Sequence, residues 1–165
     1  MVQRFNERAD NQGIPSDEMK AVYAHLKGEP GELNDTKFDV IAVRVIAMLS
    51  FWRSADFLRN LQCALAYHHF ESIQDVTSTL AYFLKPGGKL LVVDLLKTDE
   101  ALAAELFPEH ESGSVAHRGG FRREVICQAF TAAGLENVSA ATGLTVKKKG
   151  VDVVLFLAMG ERPQT

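Results

Sequence analysis

A short apolar stretch that follows a turn signal gives the clearest structural prediction in this chain. Pro86 cannot continue a helix, and Gly87-Gly88 supplies the backbone angles of a sharp reversal. Leu90–Val93 is then continuously apolar, which is typical of a strand covered on both faces, as in a parallel sheet under helices. The sequence therefore predicts a buried strand at Lys89–Leu95. Asp94 lies at the end of this strand, which is where ligands bind in open α/β sheets.

Helical spacing of apolar residues, three to four positions apart, recurs in several segments. Ser72 is a plausible N-cap, and Gly13 and Gly134 are plausible C-caps. The predicted helices are Val2–Asn11, Ser72–Phe83, Asp99–Leu106 and Arg122–Ala133.

Further strands are predicted from short apolar or alternating runs, and polar segments rich in Gly and Pro are predicted to be loops. The additional strands are Met19–Ala24, which is predicted to be buried, and Phe38–Ala42. Two more strands, Val138–Val146 and Val151–Ala158, are predicted to form a hairpin with its turn at Lys147–Lys149. The loops are Lys27–Lys37 and Pro108–Gly120. We expect the second loop to be a mobile segment over the ligand-binding site. Helices interspersed with parallel-type strands indicate an α/β fold.

Composition narrows the class of protein. The 165 residues suggest one domain, because domains usually hold ~100–200 residues. A net charge of −3 argues against a nucleic-acid partner, which usually requires a basic excess. The two cysteines suggest no disulfide framework and a reducing, cytoplasmic setting. Neither a secretory signal nor an apolar run of the ~20 residues that a membrane span needs is visible.

Two motifs carry a resemblance to a known family. The first is A-x-H-H-F at Ala66–Phe70, and the second is L-K-P-G-G-x-L at Leu84–Leu90. With the preceding F-D-V-I at Phe38–Ile41, they resemble the second half of a class I S-adenosylmethionine-dependent methyltransferase. The similarity is greatest to the small-molecule group that includes the ubiquinone/menaquinone-biosynthesis type. The resemblance implies an incomplete Rossmann-like methyltransferase sheet, with parallel strands, a C-terminal antiparallel hairpin and helices on both faces.

The resemblance also implies that part of the family domain is missing. No Gly-x-Gly-x-Gly turn occurs, and Met1 falls where the family is already inside the helix after its second strand. The resemblance therefore implies a single truncated domain over residues 1–165 that lacks strand one, the helix after it and strand two. Strand one is the central strand of the family's sheet. Its loss is expected to weaken cofactor binding and to expose sheet edges.

About 20 residues, Val43–Gln62, interrupt the family pattern. They are largely apolar and contain neither Gly nor Pro, unlike ordinary surface insertions. One hypothesis is a translated intron, since Val codons begin with GT and Gln codons include CAG. The alternative is a real insertion that adds a helix at Ser54–Leu61.

The resemblance assigns S-adenosyl-L-methionine as cofactor and transfers several positions to this chain. His25 falls where the family has an acid that accepts a hydrogen bond from the adenine amino group. Cys63–His69, which we call the histidine loop, falls beside the methionine part of the cofactor. The implied cofactor-binding residues are Ala24, His25, Leu26, Cys63, Ala64, Leu65 and His68.

The catalytic candidates are Tyr67, His68 and Asp94. Tyr67 is expected to face the cofactor or the acceptor, His68 to line the methionine site, and Asp94 to supply an acid at the strand end. Two alternatives stay open: the histidine pair caps the following helix, and Asp94 is a cap or turn acid. His110 and His117 lie in the polar segment near an acceptor site, with a surface position as their alternative. Adjacent histidines point different ways, so no metal site is expected.

Three functions remain open on the sequence. The first is an S-adenosylmethionine-dependent methyltransferase with a small-molecule acceptor and no nucleic-acid or membrane partner. The second is a non-catalytic methyltransferase-like fragment or partner-binding pseudo-enzyme. The third is an unrelated doubly wound domain such as a reductase, which the absent Gly fingerprint and the histidine loop disfavour.

Overall fold

The computed structural model describes residues 2–44, 60–63, 67–99, 101–102, 105, 116–117 and 119–165. The chain divides into two compact units, Met1–Thr36 and Lys37–Thr165. The single-domain expectation stays a prediction. Within the described ranges, no helix combines the length and the apolar character that crossing a bilayer requires.

The first unit begins with helix α1 (Val2–Asn11), which has the bounds that the sequence predicts. Gly13 follows it with a φ of 71°. The Gly13 N–H donates to Asp10 O at 2.8 Å, and the Ile14 N–H donates to Ala9 O at 3.0 Å. These two bonds form a Schellman motif, which satisfies carbonyl groups at a helix end. The Gly13 cap is thereby confirmed.

The predicted buried strand Met19–Ala24 is wrong. These residues have no strand geometry, and the side chains of Val22 and Tyr23 are 51% and 80% exposed. The Asn6 side chain satisfies the backbone here, because its Oδ1 accepts from Ala21 N at 2.7 Å and its Nδ2 donates to Ala21 O at 3.1 Å. One amide side chain thus replaces a partner strand, and the described part of this unit contains no strand that could extend the pairing.

The predicted loop Lys27–Lys37 is confirmed, and the carboxylate of Glu32 holds its first residues by hydrogen bonds. Glu32 accepts hydrogen bonds from the backbone N–H groups of Lys27 at 2.9 and 3.1 Å, Gly28 at 2.9 Å and Glu29 at 2.9 Å. The bond from Glu29 contributes most to holding the pKa of Glu32 below its ordinary value, because donated hydrogen bonds favour the ionised form.

This geometry gives a pH-dependent prediction. Because the pKa of Glu32 is lowered on folding, the stabilisation of the loop is complete above the ordinary glutamate pKa and is lost as the pH falls through the lowered value. We expect the amide-proton NMR shifts of Gly28 and Glu29 to titrate with this lowered pKa. Glu32→Gln should abolish that titration. Titration at or above the ordinary glutamate pKa in the unmodified chain would contradict the assignment.

The described part of the second unit contains a mixed sheet of five strands, β1 (Phe38–Arg44), β2 (Asn60–Cys63), β3 (Leu84–Leu95), β4 (Glu136–Lys148) and β5 (Val151–Glu161). Their order in the sheet is β2-β1-β3-β5-β4. Strand β1 runs parallel to β2 and β3, whereas β5 runs antiparallel to both β3 and β4. This is the predicted combination of parallel strands with a C-terminal antiparallel hairpin.

Strand β3 is confirmed and begins earlier than expected, at Leu84 rather than Lys89. Gly87 has a φ of 73°, so the predicted irregular backbone is present inside the strand. A Cβ on Gly88 would lie 2.9 Å from the carbonyl oxygens of both Lys85 and Phe38. The absence of a side chain at Gly88 therefore lets β1 approach β3 closely.

Helices cover both faces of the sheet, as predicted. Helix α2 (Ile73–Tyr82) is capped by Ser72, whose Oγ accepts from Asp75 N at 3.2 Å. Helix α3 (Arg123–Ala132) contacts α2, β4 and β5. It ends at Gly134, which has a φ of 79°.

The two helices pack over Leu90 and Val92, which are completely buried, through core residues such as Phe130. Phe130 contacts Gly160, which pairs with Leu90 across the sheet. Side chains alternate along a strand, so Leu95 lies on the opposite face. There Leu95 packs against Leu102.

Leu102 belongs to the predicted helix Asp99–Leu106, of which residues 101, 102 and 105 are described and helical. Asp99 caps it, because its Oδ1 accepts from Ala101 N at 3.0 Å and Leu102 N at 3.2 Å. Most of the predicted segment Pro108–Gly120 lies outside the described residues.

The C-terminal hairpin is confirmed and is longer than predicted. The turn lies later than the predicted Lys147–Lys149, because Lys147 and Lys148 still belong to β4. Lys149 and Gly150 join β4 to β5 with φ values of 51° and 82°. Two consecutive positive φ angles are typical of a type I′ turn, whose twist matches that of the flanking strands.

The interrupting stretch Val43–Gln62 is only partly described. Val43 and Arg44 extend β1, and Asn60–Gln62 form most of β2, which pairs with β1 from Val40↔Asn60 to Val43↔Cys63. The edge of β1 that faces away from β3 is therefore hydrogen-bonded rather than open. Residues 45–59 lie outside the described residues. The alternative helix Ser54–Leu61 is wrong at Asn60 and Leu61, which belong to β2, and its other residues are not described. The intron hypothesis stays a hypothesis.

Candidate functional site

A buried carboxylate joins two distant parts of the second unit at the C-terminal edge of the parallel strands. Asp94, the second-last residue of β3, is completely buried. Its Oδ1 accepts from His68 Nδ1 at 2.7 Å, and its Oδ2 accepts from His68 N at 3.0 Å. The Leu95 N–H also donates to Oδ1 at 2.6 Å. We call the His68–Asp94 contact the clamp.

The clamp fixes both the ring and the backbone of His68. Only 3% of His68 is exposed, and Asp94 is completely buried. The charge of a buried carboxylate must be compensated by hydrogen bonds. An ionised carboxylate can only accept, so the proton of the ring bond resides on His68 Nδ1. His68 is therefore held at the strand end in one ring orientation and one tautomer.

Tyr67 anchors the same loop to α2. Its hydroxyl is hydrogen-bonded to Thr77 Oγ1, which in turn donates to Ile73 O at 2.5 Å. The ring is completely buried and meets Phe70 and Phe121 edge-on, with centroid distances of 6.0 and 6.3 Å. This places Tyr67 in the packed base of the loop, and its catalytic role stays a prediction.

A third segment, of which residues 116–117 and 119–121 are described, is hydrogen-bonded to both sides of the clamp. The His117 N–H donates to His68 O at 3.0 Å, and the Phe121 N–H donates to Leu95 O at 2.9 Å. Gly120 has a φ of 77°, and a Cβ there would lie 2.4 Å from Leu95 O. Only glycine allows the segment to approach the strand end this closely.

His117 carries an unusual side-chain environment. Its ring packs against Phe121 with a centroid distance of 4.7 Å. Its Nε2 is buried and has no hydrogen-bond partner in the part of the chain that the structure describes. An unsatisfied buried polar atom costs about 1–3 kcal/mol. The sequence offered two alternatives for His117, and its only signal was a histidine in a glycine-rich stretch.

The other predicted site residues are distributed over both units. Ala24, His25 and Leu26 lie in the first unit, where Tyr23 Oη is 3.0 Å from His25 Nε2. Cys63 ends β2 and is in register with Val43 of β1 and, through it, with Val92 of β3, so it lies towards the C-terminal edge of the same parallel strands. Ala64, Leu65 and His110 lie outside the described residues. The structure thus brings together Tyr67, His68 and Asp94, and the adenine-site assignment stays a prediction.

The polar side-chain atoms of Asp94 and Tyr67 bond to the protein itself, so they form a fixed surface at this edge rather than a set of polar ligands. Both oxygens of Asp94 are occupied by protein donors, and the Tyr67 hydroxyl is bonded to Thr77. The assignment of His68 to the methionine side of an S-adenosylmethionine site stays a prediction. The described residues include no group of three or more His, Cys, Asp or Glu placed to hold a metal ion.

Comparisons with known proteins support a class I S-adenosylmethionine-dependent methyltransferase fold for this chain. A curated relative, an uncharacterized methyltransferase of Schizosaccharomyces pombe, is 31% identical over 141 residues. That match covers 83% of this chain and 43% of the relative, so the chain spans less than half of the relative's length. No protein-family model matches the sequence.

Solved structures support the same fold. An O-methyltransferase family protein from Burkholderia thailandensis aligns with 96% of this chain and 40% of its own, with a TM-score of 0.56 and 16% identity. The N-methyltransferase NodS from Bradyrhizobium japonicum, in complex with S-adenosyl-L-homocysteine, aligns with 99% of this chain and 63% of its own, with a TM-score of 0.52 and 14% identity. The methyltransferase part of the resemblance is thereby confirmed at the level of fold.

The clamp gives a stability prediction with an internal control. Asp94→Asn replaces an acceptor oxygen by a donor and leaves buried N–H groups unsatisfied, so we expect a loss of about 2–4 kcal/mol in the free energy of unfolding. Asp39→Asn is the matched control, because Asp39 pairs with Lys85 at 2.8 Å on a half-exposed surface. Its cost should stay below about 1 kcal/mol. Equal losses in urea denaturation would contradict the clamp.

Proposed function

We propose that this chain is part of an S-adenosylmethionine-dependent methyltransferase that acts on a small molecule. The observation that carries the proposal is the clamp, which holds the histidine loop at the ligand-binding edge of a methyltransferase sheet. The name of the yeast relative and the cofactor product bound in NodS support the proposal. Membership of the ubiquinone/menaquinone-biosynthesis type group belongs to the same proposal.

The chemistry demands mainly positioning from the protein. The sulfonium of the cofactor activates the methyl group, and the enzyme aligns the acceptor atom with it. His68 and Asp94 serve as positioning residues, because their hydrogen bonds fix the loop before any ligand arrives. Preorganisation of this kind lowers the entropic cost of binding.

The proposed acceptor is a small molecule, and the proposed setting is the cytoplasm. The net charge of −3 supplies no basic excess for a nucleic acid. The chain's two cysteines fit a reducing compartment.

Calorimetry on the full chain tests the proposal. We expect saturable heat with S-adenosylmethionine, with Kd weaker than about 10 μM because no glycine turn cradles the cofactor. Asp94→Asn should weaken binding about tenfold or more through loss of the ordered loop, whereas Asp39→Asn should not change it. A cooperative thermal melt, run first, establishes that each variant is folded.

Two results would contradict the proposal. One is a folded chain that gives no heat at about 1 mM cofactor, which corresponds to less than about 4 kcal/mol of binding free energy. That result favours the non-catalytic fragment. The other is cofactor binding that is unchanged in a folded Asp94→Asn variant. That result would show that the clamp does not contribute to cofactor binding.

A further inference from the structure

Strand β4 (Glu136–Lys148) lies at one edge of the sheet and is unusually long. It has 13 residues, whereas about 5–6 residues are typical of strands. Among the described strands, β5 alone pairs with β4, and most residues of β4 are exposed. The outer side of β4 therefore presents a row of backbone N–H and C=O groups with which another strand can pair.

The middle of β4 carries no side chain of the kinds that usually prevent such pairing. Native proteins commonly protect an edge strand with charged side chains or proline. From Val138 to Val146 the strand contains neither, and Leu144 is 55% exposed. This uncharged stretch of the edge favours a strand as its partner.

The first end of β4 is negatively charged. Glu136 lies directly opposite Glu161 of β5, and like charges in such a cross-strand pair are destabilising. Lys89, which lies opposite Glu161 on β3, is one strand further from the edge. Neither glutamate forms an ion pair with a described residue. A lysine brought to the outer side of Glu136 would therefore relieve this contact.

The other end of β4 is positively charged. The three lysines Lys147–Lys149 follow one another there, and Asp152 of β5 pairs with Lys147 at 3.0 Å. Lys149 donates to a backbone carbonyl at 2.7 Å, and Lys148 also has an interaction of its own. The lysines outnumber the paired carboxylate, so this end has the opposite charge to the first.

The two charged ends are placed symmetrically about Thr142. One β-bulge lies on each side of Thr142, so both halves of β4 span the same length of β5. The register that shows this is Thr142↔Phe156, Glu136↔Glu161 and Lys148↔Val151. If two copies of β4 run antiparallel about Thr142, Glu136 of each copy therefore lies opposite Lys148 of the other. A bulge also increases the twist of a strand, and a second copy has its bulges at the matching places.

We propose that β4 is a dimerisation strand that pairs antiparallel with β4 of a second copy of this chain. Each copy contributes the same edge, so the contact closes on itself rather than extending into a fibre. Opposite charges on neighbouring strands stabilise this pairing, whereas a parallel arrangement would bring the two lysine ends together. The dimer does not depend on the proposed function.

Sedimentation velocity of the full chain is the first test. We expect a reversible dimer that forms at micromolar concentrations. A cooperative thermal melt, run beforehand, shows that the chain and each variant are folded.

Two charge-reversed variants test the antiparallel register. Glu136→Lys and Lys148→Glu each place like charges opposite one another at both ends of the dimer, so each should weaken self-association about tenfold. Mixing the two variants brings opposite charges together again at both ends. The mixture should therefore form a heterodimer about as tightly as the unmodified chain forms its dimer.

Two lysine substitutions distinguish the edge of the sheet from its face. Leu144→Lys places a charge in the middle of the outer edge and should weaken dimerisation about tenfold or more. Leu157→Lys is the matched control, because Leu157 is a 44% exposed leucine on the inner strand β5. It should leave the dimer unchanged.

The proposal is overturned if the folded chain sediments as a monomer at about 200 μM. It is also overturned if the mixture of charge-reversed variants fails to restore the dimer, because the charges would then not lie opposite each other. A dimer that Leu157→Lys disrupts and Leu144→Lys preserves would assign the contact to the face of the sheet and would likewise contradict it.

Discussion

A single buried carboxylate determines how the site edge of the second unit is arranged. Asp94 is on β3, and its partner His68 is on a loop 26 residues earlier in the chain. The carboxylate of Asp94 is buried, and a buried charge is tolerated only when hydrogen bonds compensate it. Once Asp94 is buried at the strand end, His68 is fixed, and the segment that bonds to His68 O is placed in turn.

Local signals in the sequence predicted most of the secondary structure. Helix α1 and helix α2 were predictable because their caps, Gly13 and Ser72, act within a few positions. The hairpin itself was predictable in the same way, although its turn was expected at Lys147–Lys149 and lies at Lys149-Gly150. The apolar run of β3 was predictable because four consecutive apolar residues fit a strand covered on both faces. These are all features whose physical cause is contained in the segment itself.

Features that depend on a distant partner were not predictable in the same way. The Met19–Ala24 prediction failed because apolar composition says nothing about which group will satisfy the backbone, and here Asn6 does so. Similarly, Asp94 and His68 were each named as candidates, but the sequence did not pair them. Nε2 of His117 is buried where His68, the end of β3 and the segment around Gly120 contact one another. The spacing of residues along the sequence does not reveal such contacts.

The most direct measurement of the central claim is the state of the His68 ring. If Asp94 holds Nδ1 by a buried hydrogen bond, histidine side-chain NMR of the full chain should show one Nδ1-bound proton that exchanges slowly with water, and this resonance should vanish in His68→Gln. A His68 ring whose Nδ1 carries no proton, or whose proton exchanges as fast as that of an exposed histidine, would contradict the account.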